Sequence, residues 1–259
     1  MKRKIKELKR IARHNLTGNY SILIKASILI SGLMMLIEWP FSMLQTKELV
    51  STQNIIYYIA LVLISIVSIV LICGQYRMHL SLARTGQMNL NDLFSLLKNQ
   101  PDKYILVNLL LFGLAILSMV PAFIGGAMIY FSQSTSLYPI ATILFILSIL
   151  LALLIAINFN LVFFVLLDNP DLSTMEAFKA TLSLMKGHKA RYLYLQLSFL
   201  GMLFLAVCSL GIAMLWVEPY MTQTITLFYL DAKGVLDEVQ EERRKSEPTP
   251  EPTTFNQYV

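Results

Sequence analysis

Between Lys103 and Asp168 the chain runs through 64 consecutive residues without one charged side chain. Water-soluble folds do not produce such a run. An apolar helix crosses the hydrocarbon core of a bilayer with about 20 residues, so this stretch alone supplies two crossings and a turn. Only 14% of the 259 residues are charged and 56% are hydrophobic, where a soluble domain carries about 25% charged residues. The expected fold class is all-α: a polytopic membrane protein with about six transmembrane helices.

The apolar runs predict spans over about 20–37, 55–76, 104–130 and 138–167. A hairpin of 192–208 and 212–230 follows, turning near Ser209-Leu210-Gly211. Its alternative is one long helix to Val217 and then a re-entrant or interfacial piece. The fourth run is longer than a bilayer requires, so that helix is tilted, broken or extends beyond the membrane. Pro121 is expected to kink the third, with Gly125-Gly126 permitting close packing beyond it. The basic opening followed by an apolar stretch imitates a signal peptide. No small-residue cleavage site follows Ile37, where the chain reads Glu38-Trp39-Pro40-Phe41, so the segment is read as a retained first helix. Cys73 and Cys208 fall near opposite faces on this topology, beyond the ~7 Å Cα separation that a disulfide tolerates.

Charge sets the orientation. On these spans 19 of the 21 Lys and Arg residues lie on one side, Lys25 sits inside a helix, and Lys47 is alone opposite. Cytoplasmic loops accumulate Lys and Arg, so both termini are expected in the cytoplasm. The same bias explains the net charge of +5 without nucleic acid, for which the chain carries no recognition helix, zinc spacing or aromatic-studded basic groove.

Three regions follow. Residues 1–19 hold seven Lys/Arg with Ile5, Leu8, Ala12 and Leu16 at helical spacing, a basic amphipathic helix. It suits an anionic leaflet, or it only fixes orientation. Residues 20–231 form the six-helix domain. Residues 232–259 end acidic and proline-rich (Glu247-Pro248-Thr249-Pro250-Glu251-Pro252), which predicts a disordered cytoplasmic tail.

Two large loops resemble each other. Asn89-Leu90-Asn91-Asp92-Leu93-Phe94 and Ser173-Thr174-Met175-Glu176-Ala177-Phe178 each pair a capping residue with an acid three places later, the capping-box pattern. Leu90, Leu93, Phe94 and Leu97 make one apolar stripe; Met175, Phe178, Leu182 and Met185 make the other. Each precedes a basic cluster and a span with an early glycine, Gly113 or Gly201. Short cytoplasmic interfacial helices in an internal parallel duplication, or coincidence between amphipathic helices, both account for this.

Further residues carry a resemblance. Asp168-Asn169-Pro170-Asp171, Met185-Lys186-Gly187-His188-Lys189, Leu197-Ser198-Phe199-Leu200-Gly201, Leu210-Gly211, Leu215-Trp216-Val217-Glu218-Pro219-Tyr220 and Phe228-Tyr229-Leu230-Asp231 occur in order. Ala12-Arg13 followed by Leu16-Thr17-Gly18-Asn19-Tyr20 completes the set at the other end. This string resembles the membrane family catalogued as domain of unknown function 975, common in Gram-positive bacteria. Met202 stands where the family often has tryptophan, and Val120-Pro121-Ala122-Phe123 replaces its usual Ile-Pro-Gly-Ile. The resemblance implies a multi-pass protein of the bacterial plasma membrane and no established activity.

Candidate chemistry is sparse. His14, His79 and His188 lack zinc-helix spacing. No phosphate-binding glycine loop, nucleophile elbow or carboxylate pair is present, so no catalytic, metal or cofactor site is assigned. Among the few polar residues in apolar runs, Glu218 with Pro219 is a candidate membrane site, because an intramembrane acid is costly and Pro219 frees a backbone carbonyl. The plainer reading puts Glu218 at the outer interface beside Trp216 and Tyr220. Asn158 and Asn160 either join that site or tie helices together. Lys186, His188 and Lys189, with Arg13, are candidate contacts for anionic lipid headgroups; Gly187 reads equally as a helix stop. Two functions follow. One is a non-enzymatic envelope protein, a scaffold or lipid-engaging accessory whose partners are anionic membrane lipids, a membrane protein or a second copy. The other is a transporter or permease-like subunit using Glu218, Asn158 and Asn160 between the repeats.

Overall fold

The computed structural model describes residues 3–43, 51–132 and 135–246, and every regular element among them is helical. Helix α1 spans Ile5–Leu16, α2 Tyr20–Ser42, α3 Thr52–Thr85, α4 Asn91–Lys98 and α5 Pro101–Ser132. A 3₁₀ turn then leads into α6, Tyr138–Phe159, and α7, Val162–Asp168. The rest are α8 Thr174–Met185, α9 Lys189–Leu197, α10 Leu200–Cys208, α11 Met214–Lys233 and α12 Leu236–Ser246. Local chemistry sets several ends. The Ser51 hydroxyl caps α3, and Gly86 and Gly234, at φ of 73° and 84°, stop α3 and α11 in the left-handed conformation that glycine adopts without strain.

Five stretches are long and apolar enough to cross a membrane: α2, α3, α5, α6 with α7, and α9 with α10. Only 11–22% of each apolar window is buried inside the protein, so most of that surface is left for lipid tails. Helices α2 and α3 pair antiparallel, tied by Ser68 to the Met34 sulfur at 2.9 Å. Helices α5 and α6 form the second pair, where a Cβ on Gly125 would stand 3.1 Å from Ala141 Cα. Beside Pro121, the Ala122 N–H donates across to Ser148 Oγ at 2.9 Å.

The closely packed part lies at one end, called basal here, where α1 and α12 sit. Its centre is α11, which buries nearly every side chain from Val217 to Asp231. His79 and Gln223 meet there at 2.7 Å, fully buried. Asp168 gathers Arg84, Lys233 and the Tyr229 hydroxyl (2.8 Å), joining α3, α7 and α11. Asp231 holds Arg191 at 2.5 Å and accepts from the Arg3 N–H, joining α11 to α9 and the N-terminus.

Of the three readings of the fourth run, the broken one holds: α6 stops at Phe159, and Asn160-Leu161 lead into α7, which is buried in the basal core. Other expectations change. The tail is not disordered throughout. Helix α12 docks through Leu236 and Val239, and Arg3 reaches its Asp237 and Gln240; residues 247–259 lie outside the described residues. The stripe of α1 does not face lipid. Ile5, Leu8, Ala12 and Leu16 are buried in the core, about 2 kcal/mol for each large side chain, and the basic face points outward. The capping box forms at Ser173 and Glu176 alone, since Asn89 turns its side chain to the Asn91 N–H instead. Phe94 is exposed while Phe178 is buried against Phe159, so the two are not equivalent in packing.

A closer correspondence lies elsewhere. Thr17-Gly18-Asn19 and Lys186-Gly187-His188 share one backbone path: φ of −61°, 83° and −108° in the first, −64°, 82° and −119° in the second. In each, the third side chain bonds to the carbonyl four residues back, Asn15 or Leu184, at 3.0 Å. Burial follows the same register, with Leu8, Ala12, Leu16, Leu23 and Ala26 matching Ala177, Thr181, Met185, Tyr192 and Leu195.

Candidate functional site

Glu218 stands at the meeting of α2, α3 and α11. Ser27 Oγ donates to its Oε2 at 3.1 Å, and Gln75 Nε2 donates to its Oε1 at 3.2 Å. Gln75 also donates to Ser27 Oγ at 2.9 Å, closing a triangle. The groove beside it holds about 370 Å³, walled by Ile30, Ser31, Ile72, Met214 and Leu215. Pro219, the next residue, is buried.

Depth follows from the helix rise. Above Glu218, α11 continues four residues to Met214, about 6 Å, before the turn. Above Ser27, α2 continues fifteen residues to Ser42, about 22 Å. Lys25 and Arg77, each two residues along the helix from one of its partners, are exposed. Glu218 therefore sits on the basal side of the apolar helices. Sequence reasoning missed Ser27 and Gln75, ordinary polar residues that no motif or spacing in the sequence marks.

Asn158 and Asn160 do not join this groove. Asn158 donates to its own Leu154 carbonyl at 2.6 Å near the end of α6, and Asn160 is exposed in the break before α7. Nor do the four headgroup candidates share one pocket. Lys186 and Lys189 are exposed at the α8–α9 junction, with the His188 ring edge-on to Phe228. Arg13 lies 6.0 Å from the Tyr220 ring on α1.

Apolar side chains define a second candidate. Helix α4 buries Leu93 and Leu96 in protein, while Leu90, Phe94 and Leu97 form an adjoining exposed stripe. Helix α8 repeats the arrangement, with Phe178 and Met185 inside and Met175 and Leu182 outside. Lys98, Lys179, Lys186 and Lys189 flank these stripes and are exposed. Each of these helices thus lies half on protein and half apolar outward, with lysines beside the outward face. Among the described residues no three His, Cys, Asp or Glu side chains gather to hold a metal ion.

A family model described as "Protein of unknown function (DUF975)" matches residues 1–235. No curated protein and no solved structure matches the chain.

Proposed function

The chain belongs to the DUF975 family of unknown function, and on that premise we propose that it is a non-enzymatic integral membrane protein of the bacterial cell envelope that engages anionic lipid. The carrying observation is the pair of exposed stripes, Leu90-Phe94-Leu97 on α4 and Met175-Leu182 on α8, beside exposed lysines. In this reading the basal core and both termini are cytoplasmic, and α4 and α8 lie in the inner headgroup layer. Each lysine near such a surface contributes about 1 kcal/mol. The α10–α11 hairpin enters the membrane without crossing it, which makes four full spans and one re-entrant pair. The shared α1–α2 and α8–α9 junctions support a parallel repeat of amphipathic helix and hairpin, to which α4 with α5–α6 adds a third, looser copy.

Lipid retention tests this. Protein extracted in mild detergent is expected to carry phosphatidylglycerol into native mass spectrometry, and K179Q/K186Q/K189Q to carry clearly less. Equal retention would count against the lipid reading.

One observation favours the transporter reading, the 370 Å³ groove beside Glu218. It requires a polar path onward to the far face, and above Glu218 the groove is walled by Ile30, Ile72, Met214 and Leu215, with Ser31 the one polar side chain among them. A cellular phenotype of deletion that E218Q reproduces in full would favour transport over lipid engagement.

A further inference from the structure

The groove beside Glu218 has a direction. Its floor is polar, made by the Glu218 carboxyl, Ser27 and Gln75, and its walls are mainly apolar. Each helix supplies one floor residue and one wall residue on the same face. Ile30 stands three residues above Ser27 on α2, Ile72 three above Gln75 on α3, and Leu215 three above Glu218 on α11, about 4.5 Å in each case. Ser31 and Met214, four residues above Ser27 and Glu218, line it higher still and are exposed.

The floor holds an acid whose bonds come from neutral groups, the Ser27 hydroxyl at 3.1 Å and the Gln75 amide at 3.2 and 3.4 Å. Among the described residues no Lys, Arg or His side chain pairs with it, and none lines the groove. The basic residues outside them, Lys2 and Lys47, border distant chain. Arg3 bonds Asp231, about 20 Å along α11 from Glu218, and Ser42 ends α2 about 22 Å beyond Ser27. A carboxylate has about four acceptor positions, so the two closer donors leave room for another. Apolar walls strengthen its attraction for a counter-charge. No aromatic side chain lines the groove among the described residues, which disfavours a quaternary ammonium, a cation that aromatic cages recognise. A primary ammonium brings N–H donors for the carboxylate and for the Ser31 hydroxyl.

We propose that this groove binds a primary ammonium carried on an aliphatic chain, with the ammonium at Glu218 and Ser31 and the chain along Ile30, Ile72 and Leu215. The volume of about 370 Å³ suits a compact ligand. An aminophospholipid headgroup and a free alkylamine present this same chemistry. Binding here needs neither a polar path to the far face nor the lysines beside α4 and α8.

The test follows thermal unfolding of the full-length protein in dodecyl maltoside during titration with hexylamine, which is protonated near neutral pH. A ligand of the folded state raises the midpoint saturably. Hexylamine is expected to do so, and hexanol and hexyltrimethylammonium to bind at least about ten-fold more weakly. E218Q should weaken hexylamine at least about ten-fold. S31L adds bulk at an exposed position in the groove without removing a Glu218 contact, and should weaken it as well, which separates recognition from misfolding. K179Q/K186Q/K189Q should bind hexylamine as the parent does. Native mass spectrometry from vesicles of equal phosphatidylethanolamine and phosphatidylcholine identifies the source. Enrichment of phosphatidylethanolamine that E218Q erases would assign the site to a lipid amine. Equal retention of the two lipids, beside saturable hexylamine binding, would assign it to a free amine. A parent without saturable hexylamine binding, E218Q and S31L both equal to the parent, or hexyltrimethylammonium bound as tightly as hexylamine would overturn the proposal.

Discussion

Gln75 and Glu218 join α3 to α11: the amide donates to the carboxyl at 3.2 Å and to Ser27 Oγ at 2.9 Å. An acid at the foot of the apolar helices is thus satisfied by its own neighbours. Q75L should leave the acid short of a donor and lower unfolding stability by about 1–3 kcal/mol. E218Q keeps the shape and acceptor while dropping the charge, and should cost less than about 1 kcal/mol. Thermal unfolding in detergent compares the two. An E218Q loss larger than that of Q75L would show that the charge itself is required.

Gly74 sets the seat of α4. A Cβ there would stand 2.1 Å from the Leu93 carbonyl oxygen, and backbone cannot yield as a flexible side chain does. G74A is expected to push α4 off α3 and destabilise the protein by about 1–3 kcal/mol. The control is G113A, which meets nothing within 4 Å. Limited proteolysis within residues 86–100, which carry α4, should quicken in G74A alone.

The sequence made the long helices legible because 64 uncharged residues have no soluble explanation. It did not make the break at Asn160-Leu161 legible, since apolar residues flank it on both sides. Amphipathicity revealed α1 but not its cover: a stripe of Ile5, Leu8, Ala12 and Leu16 reads the same whether lipid or α11 lies on it. Residues 236–246 read as tail because charge dominates them, and two side chains, Leu236 and Val239, suffice to dock the helix. Glu218 stood out as a lone acid. Ser27 and Gln75 did not, being ordinary polar residues whose importance appears only when three helices meet.

The buried Tyr229 phenol predicts an alkaline limit. Burial, then the adjacent Asp168 charge, raise it above its ordinary value of 10. Above pH 10 the unfolded chain releases this proton while the folded protein holds it. The unfolded state then binds fewer protons, so stability falls as pH rises. Unfolding followed from about pH 9 to 11 should show this decline, and Y229F should flatten it. A decline of the same slope in Y229F would assign it to another group.

Orientation is open to chemical labelling. In a background without Cys73 and Cys208, cysteines placed at 39–43 or 136–137 should react with an impermeant thiol reagent added outside whole cells. Those placed at 86–100, 170–190 or 236–246 should react only after lysis. Outside labelling of α12 would invert the basal core.

The most direct measurement places α4 and α8 against lipid. In a W39F/W216F background, F94W and L182W would report on the two exposed stripes, and H14W on the outward face of α1. Vesicles with lipids brominated high on the acyl chain should quench F94W and L182W strongly and H14W weakly. Quenching of H14W equal to theirs, or none at F94W and L182W, would contradict the lipid-engaging role.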